Sequence, residues 1–303
     1  DTVLLPAYLC NEVVKPFLGK CRVEFYALQP GLTIDPDAVR RRLAASPVKA
    51  FVMINYFGLL DPRRQAIKRI CTERGTTLVE DCALSLLTEG SGETGDLAVY
   101  SFRKTLPVRD GGGLRVNDGR PQPSPDFRPR IVSDVLSLCI WGKQTFQIRT
   151  ERLSRAGLST PPATQPAATG EAPRPTRVLP MSSFTRRGVQ RASYGDIVER
   201  QRKDFLFWLE WTNRTGRCRP IYDSLPPGVC PLGFPVKIEN RDEIRRRLQE
   251  RGVFLRVHWR MPAAVGPEFR DSHALSAETI TLPVYPELGD KERTEIQQVL
   301  TAG

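Results

Sequence analysis

Residues 95–118 read GDLAVYSFRKTLPVRDGGGLRVND. A turn at Gly95 and Asp96 opens into a short apolar run that ends at Phe102, and the next two residues are Arg103 and Lys104. Long lysines prefer water, yet Lys104 is placed at the end of a buried strand, beside a backbone that must turn sharply through three glycines. A lysine in that position is either an ordinary edge charge or a nucleophile held at the mouth of a pocket. The choice depends on what the rest of the chain brings to the same end of the strand.

Upstream, the pattern is regular. VLLPAY (3–8), CRVEFYAL (21–28), KAFVMINYFG (49–58) and TTLVEDCA (76–83) each read as a short strand, and GGGLRVND (111–118) reads as a strand followed by a turn. Between them, residues 11–19 suit a short helix limited by Pro16. TIDPDAVRRRLAA (33–45) has a helix start with Asp35 as cap, Pro36 in the first position and Asp37 at the positive end. DPRRQAIKRICTERG (61–75) is a second capped helix closed by Gly75. The strands are apolar on both faces, which is how a sheet covered by helices on both sides reads. The expected fold class is therefore α/β, a mostly parallel sheet. Ligands of such sheets gather at the carboxyl ends of the strands. Asn55, Glu80, Asp81, Ser101 and Lys104 all fall near such ends.

The middle of the chain changes character. Residues 131–157 are helix-like, while LSTPPATQPAATGEAPRPTRVLP (158–180) is rich in Pro, Ala and Thr and cannot pack a core. Beyond it, residues 194–216 form a long amphipathic helix carrying Phe205, Phe207, Trp208 and Trp211 as core or interface residues. CPLGFPVKIEN (230–240) is a strand, residues 241–252 a helix, VFLRVHWR (253–260) a strand, and residues 277–300 a short strand, a turn and a final helix. The expected organisation is a large domain over 1–158, a flexible linker over 159–180 and a small α+β domain over 181–303.

Composition excludes several classes. Among 303 residues, 40% are hydrophobic and 26% charged, an ordinary globular balance, and no apolar run is long enough to span a bilayer. The opening has neither a basic leader nor a small-residue cleavage site, so a cytoplasmic protein is expected. Seven scattered cysteines without a CxxC pair argue for reduced thiols rather than a disulfide framework. With two histidines in all, a histidine-rich metal site is not expected. The net charge of +11 invites a nucleic-acid reading, but the arginines are spread over several helix-like stretches with glutamates interleaved, and no zinc-finger, RNP or helix-turn-helix signal accompanies them. An anionic small-molecule substrate accounts for the charge as well as nucleic acid does.

A lysine becomes a nucleophile when burial or nearby cations depress its pKa, and Arg103 and Arg109 lie close in sequence. Asp81, at another strand end, offers a fixed negative charge. A carboxylate and a lysine are what pyridoxal phosphate requires, and Ser101 offers a hydroxyl suited to a phosphate oxygen. On the residues alone, a satisfied structural Lys–Asp arrangement is the commoner outcome. In RVHWR (256–260), Arg256, His258 and Arg260 lie where the small domain could approach the mouth of the site and receive a substrate carboxylate or diphosphate; an exposed strand with solvated arginines is the alternative. His273 reads as a cap or surface residue.

GTTLVEDCALSL (75–86) followed by residues 92–118 resembles the DegT/DnrJ/EryC1/StrS family of sugar aminotransferases. The opening DTVLLPAYLCNEVV, GLTIDPDAVRRRL (31–43), FVMINYFG (51–58) and ITLPVYPELGDKE (280–292) resemble further family segments in the right order. The resemblance implies a pyridoxal-phosphate enzyme of aspartate-aminotransferase fold. It moves an amino group from an amino acid to a keto-sugar linked to a nucleotide, and its sites are built at the boundary of a homodimer. It implies that Asp81 pairs with the pyridine nitrogen, Ser101 touches the phosphate, and Lys104 is both the Schiff-base lysine and the proton shuttle. Asn55 stands where the family has a histidine near the cofactor. Three further departures stand out. The sequence opens later than the family pattern, so the helix whose start holds the phosphate has no counterpart. The ring-stacking residue is expected near Leu9 or Cys10, and Leu84 stands where a hydrogen-bonding residue is expected. A catalytically degenerate relative with a structural or regulatory role is the alternative implied by these losses.

Overall fold

The computed structural model describes residues 1–121 and 180–302. Its larger sheet has six strands: β1 (Thr2–Pro6), β2 (Arg22–Tyr26), β3 (Ala50–Ile54), β4 (Thr77–Asp81), β5 (Leu97–Ser101) and β6 (Gly112–Val116). They lie in the order β2-β1-β3-β4-β5-β6, all neighbours parallel except the antiparallel β5–β6 pair. Because the chain runs outward from β1 to β2 and then back across to β3, the strand order reverses beside β1. That is where open α/β sheets carry their ligands, at the carboxyl ends.

The connecting helices are α1 (Asn11–Val14), α2 (Pro36–Ala45), α3 (Arg64–Glu73) and α4 (Phe102–Thr105). Asp35 caps α2 by accepting from the Asp37 amide at 2.9 Å. Asp61 holds the approach to α3 and to α2 together, its two oxygens accepting from the Arg63 and Ile34 amides, each at 2.7 Å. One face of the sheet (Leu4, Phe51, Met53, Leu78) packs on Val39 and Leu43 of α2 and Ile67, Ile70 and Cys71 of α3. The other face (Val3, Leu5, Val52, Ile54) packs on Trp259, Met261, Val265, Phe269 and Leu275 from the C-terminal part. That contact brings residues 256–261 to the sheet's carboxyl edge.

The C-terminal part contains α5 (Ser183–Arg191), α6 (Tyr194–Thr215), β7 (Arg219–Pro220), β8 (Phe234–Lys237), α7 (Arg241–Glu250), α8 (Arg270–Glu278), β9 (Thr279–Leu282) and α9 (Asp290–Thr301). β7, β8 and β9 form an antiparallel sheet. It packs on the apolar stripe of α6 through Phe205, Trp208 and Trp211, all buried. Gly216, at φ 63°, ends α6 in the left-handed conformation. The fold class read from the sequence is thus the one observed: a mostly parallel large sheet with helices and a smaller α+β part.

Of the aromatic residues expected in core or interface, Phe205, Trp208 and Trp211 are buried in the chain's own core, and Phe207 lies under the Arg293 guanidinium, 4.4 Å from the ring centroid. Two local expectations are corrected. Residues 253–260 are not a strand. Val253 and Leu255 are buried, but among the described residues their segment pairs only through one bridge between Arg256 and Thr281. Residues 270–278 form a helix, and His273 lies within it with Nε2 3.0 Å from the Gly266 carbonyl. The helix expected over 131–157 lies outside the described residues, as does all of the linker expected over 159–180 except Pro180.

Candidate active site

β4 ends in two adjacent carboxylates, and strand alternation sends them to opposite faces. Asp81 lies at the carboxyl edge, between Ile54 of β3 and Val99 of β5. The ladder runs one residue further, Cys82 N–H donating to the Val99 carbonyl at 2.8 Å, before the chain bends. At the bend the Ala83 amide donates to Asp81 Oδ1 at 2.9 Å. β5 ends at Ser101 and leads directly into the single turn α4, which carries Lys104. Lys104 and Asp81 therefore come from two neighbouring parallel strands whose ends open on the same side.

Each holds the other against burial. Burial pushes the Asp81 carboxyl above its ordinary value, while the Ala83 amide and the Lys104 charge draw it back. Burial draws the Lys104 ammonium below its ordinary 10.5. The Asp81 and Cys10 charges oppose that shift, whereas Arg103 and Arg256 add to it. Of the cations expected from the sequence, Arg103 acts on Lys104, and Arg256 from the C-terminal part acts on it as well. Ser101 precedes α4 and its hydroxyl makes no capping bond to that turn.

Asn55 faces away from this pair. Its Nδ2 donates to Glu80 Oε1 at 2.8 Å and lies 3.5 Å from Cys82 Sγ, so it sits on the Glu80 face of the sheet. Its side chain is fully buried there and does not join the Asp81 set. The expectation that Asn55 touches the cofactor is corrected on that ground. Leu9 and Leu84 are both buried, and Cys10, partly exposed at the end of β1, lies within electrostatic reach of Lys104.

The three residues of RVHWR separate in role. Arg256 is exposed and ion-paired with Glu287. Arg260 is exposed and has no ion pair among the described residues. His258 is partly buried: Nδ1 lies 2.7 Å from Thr281 Oγ1, the ring stands edge-on to Phe57, and its carbonyl accepts from the Tyr8 hydroxyl. Burial first, then the Arg256 and Lys104 charges, pull the imidazole down to about 3. Lys104 and His258 thus act on each other, which places the C-terminal segment at the same site as the Lys–Asp pair.

Tyr8 and Thr281 escaped the sequence reading. Tyr8 is wholly buried beneath Trp259, with ring centroids 5.3 Å apart. The available signal was a pair of threonines, Thr279 and Thr281, in an otherwise apolar strand that is buried throughout. Among the described residues, no group of three or more His, Cys, Asp or Glu is placed to hold a metal ion.

An open parallel sheet with a lysine and an aspartate on neighbouring strand ends, closed over by a C-terminal antiparallel lobe, defines the class of large-domain/small-domain α/β proteins with a ligand site at the sheet edge. The model of the DegT/DnrJ/EryC1/StrS aminotransferase family matches residues 28–123, about a third of the chain. A relative from Saccharopolyspora spinosa, dTDP-4-dehydro-2,3,6-trideoxy-D-glucose 4-aminotransferase, is 26% identical over 301 residues, covering 90% of this chain and 68% of the relative. The aminotransferase TlmJ from Streptoalloteichus hindustanus has the same fold, with a TM-score of 0.65 and 22% identity over 99% of this chain and 77% of that one. NtdA from Bacillus subtilis, solved with bound cofactor PMP, matches with a TM-score of 0.64 and 17% identity over 100% of this chain and 67% of that one.

Proposed function

We propose that this chain is a pyridoxal-phosphate-dependent aminotransferase that moves an amino group from an amino acid to a keto-sugar, nucleotide-linked as in the Saccharopolyspora relative's substrate. The observation that carries the reading is the coupling of Lys104 and Asp81 at the sheet edge, each with its proton affinity shifted by burial and opposed by the other's charge. The match of residues 28–123 to an aminotransferase family model and the PMP bound in NtdA support it.

The donor set fits the cofactor. A partly buried lysine held below its ordinary proton affinity suits attachment of an aldehyde. A carboxylate kept anchored by a backbone amide suits a pyridine N–H. Ser101 supplies a hydroxyl for the phosphate, and Arg103 adds positive charge nearby. Bound there, pyridoxal phosphate supplies a carbonyl carbon that carries the amine and a ring that accepts electrons. With the cofactor bound, Lys104 Nζ would be the group placed to carry a proton between the two carbons that flank the transferred nitrogen. The second oxygen of Asp81, which accepts no hydrogen bond among the described residues, would hold the ring N–H. Leu9, Leu84 and the aromatic layer of Tyr8, Tyr56 and Trp259 limit water around the pair.

Pyridoxal phosphate followed by borohydride, with peptide mapping, tests this reading. The expected label lies on Lys104 and is absent from Lys104→Ala, which also loses transamination. A chain that takes no label on Lys104 is instead a degenerate relative with a structural or regulatory role. The observation favouring that second reading is Leu84, which is buried where the resemblance implies a residue that bonds a cofactor oxygen.

Assembly and compartment follow from the same reading. We place the protein in the cytoplasm, in line with six free cysteines among the described residues and no helix there long and apolar enough to cross a membrane. A homodimer with sites at the subunit boundary is proposed from the family resemblance alone; sedimentation as a monomer at micromolar concentration contradicts it. The spread of basic residues, ion-paired at Arg40, Arg42, Arg246 and Arg251, supports small anionic ligands over nucleic acid. Sequence-preferring DNA binding at physiological salt would overturn that.

A further inference from the structure

His258 is held at the site by three contacts from separate elements. The Tyr8 hydroxyl, at the end of β1, donates to its carbonyl. Thr281 of β9 holds the segment twice: its N–H donates to the Arg256 carbonyl at 3.1 Å, and its Oγ1 lies 2.7 Å from His258 Nδ1. Phe57, at the end of β3, packs its ring at a 5.4 Å centroid distance and 87° to the imidazole. The other ring nitrogen, Nε2, has no partner among the described residues and is not one of the sealed, unpaired polar atoms. It is open to a ligand.

The Thr281 contact and the charges around the ring bear on which nitrogen carries the proton. The charged groups acting on the ring are both cations, Lys104 from α4 and Arg256 from its own segment. The groups packed against it from other elements are neutral: Phe57, Thr281, Trp259 and the Tyr8 phenol, which burial keeps protonated. Both cations favour the neutral ring. A proton on Nδ1, donated to Thr281 Oγ1 at 2.7 Å, leaves the lone pair on Nε2. Such a nitrogen repels an anionic oxygen and accepts from an O–H.

We infer that His258 Nε2 is a hydrogen-bond acceptor for a hydroxyl of the sugar substrate, and that Thr281 is the positioning residue that fixes the ring in that role. This rests on the transferase reading for the identity of the substrate, but not for the state of the ring. It also reassigns the expected anion contact: the anionic part of a nucleotide sugar falls to Arg260, or to Arg256 once released from Glu287, while His258 takes a neutral group.

The test separates the two readings. The chain has two histidines, so His273→Gln leaves one imidazole for nitrogen NMR on labelled protein. The expected signal is a Nδ1–H tautomer that persists unprotonated well below pH 6. Thr281→Val, which keeps shape and backbone bond, should give a mixed tautomer, and Thr281→Ser should restore the original one. For binding, dTDP-glucose is titrated and Kd read by calorimetry. His258→Phe should weaken it about tenfold, as expected when a hydroxyl loses its buried partner. Thr281→Val should weaken it several-fold and Thr281→Ser little. A Nε2–H tautomer in the parent protein, a tautomer indifferent to Thr281→Val, or a Kd unmoved by His258→Phe overturns the inference, and so does failure of the parent to bind dTDP-glucose. These results are independent of whether borohydride fixes a label on Lys104, so loss of that label sinks the transferase reading without touching the tautomer result.

Discussion

Two carboxylates one residue apart, on opposite faces of β4, have been given opposite work. Glu80 is fully buried and fully engaged. Its oxygens accept from Asn55 Nδ2 at 2.8 Å and from the amides of Gly92, Thr94 and Gly95 at 3.0, 3.1 and 3.0 Å. It ties the loop between β4 and β5 to the sheet, and Gly95 permits the approach, since a Cβ there would stand 2.8 Å from Glu80 Cβ. Asp81 is partly exposed, accepts one backbone amide, and faces a lysine it shares with burial. A carboxylate with every lone pair occupied has nothing left to offer a ligand. One with an oxygen unbonded among the described residues, beside a partly buried lysine, does.

The comparison breaks most visibly through stability. Glu80→Ala leaves an amide side chain and three backbone N–H groups without an acceptor in a closed interior, at a cost of about 3–5 kcal/mol. Asp81→Asn, retaining an acceptor for Ala83 on the open side, should change stability by less than about 1 kcal/mol. Urea melts of both variants check the pair. Equal losses would erase the distinction between the two faces.

Gly58 gives the next effect. It sits at φ 98° just past β3, and a Cβ would stand 2.2 Å from the Cys230 carbonyl oxygen. Its own carbonyl accepts from the Thr88 hydroxyl at 2.7 Å, which also receives the Cys230 amide at 3.0 Å. Gly58→Ala therefore strains the backbone and pushes the two parts of the chain apart, for about 2 kcal/mol. A melt within a few tenths of the parent would mean that this approach is looser than the geometry shows.

Much of this was legible because it is local. Asp35, Pro36 and Asp37 mark a helix start by their own chemistry, and strand alternation alone separates Glu80 from Asp81. Lys104 and Asp81 were found because chain reversal in a parallel sheet places strand ends together. What was not legible depends on tertiary packing. Val253 and Leu255 alternate like a strand but are spent burying a turn. Arg270–Glu278 is too polar to announce a helix and has no side-chain cap at Phe269. Asn55 follows a strand whose last side chains could face either way, and only contact with Glu80 settles the matter. Thr281 looks like any strand threonine until the segment at Arg256 is laid beside it.

Proton affinity sharpens the same comparison on the Asp81 side, with opposite slopes for the two partners. Asp81 sits above its ordinary 3.8, so from that value upward the folded chain holds more protons than the unfolded one, and its contribution to stability falls as pH rises through the interval. Lys104 sits below 10.5, so the folded chain holds fewer protons there, and its contribution rises as pH climbs toward 10.5. Both groups are partly exposed and the melts will register these slopes weakly, but the reactivity of the amine reads the lysine directly. Modification of Lys104 by trinitrobenzenesulfonate, followed by peptide mass spectrometry across pH, should show a midpoint below 10.5. The Asp81 charge favours the ammonium, so Asp81→Asn removes that support while burial, Arg103 and Arg256 remain. Its midpoint should move further down. The shift is the smallest effect expected here, and its direction is what matters. An upward move, or none, would mean that Asp81 and Lys104 are not in electrostatic contact, and the pairing on which the proposed chemistry rests would be lost.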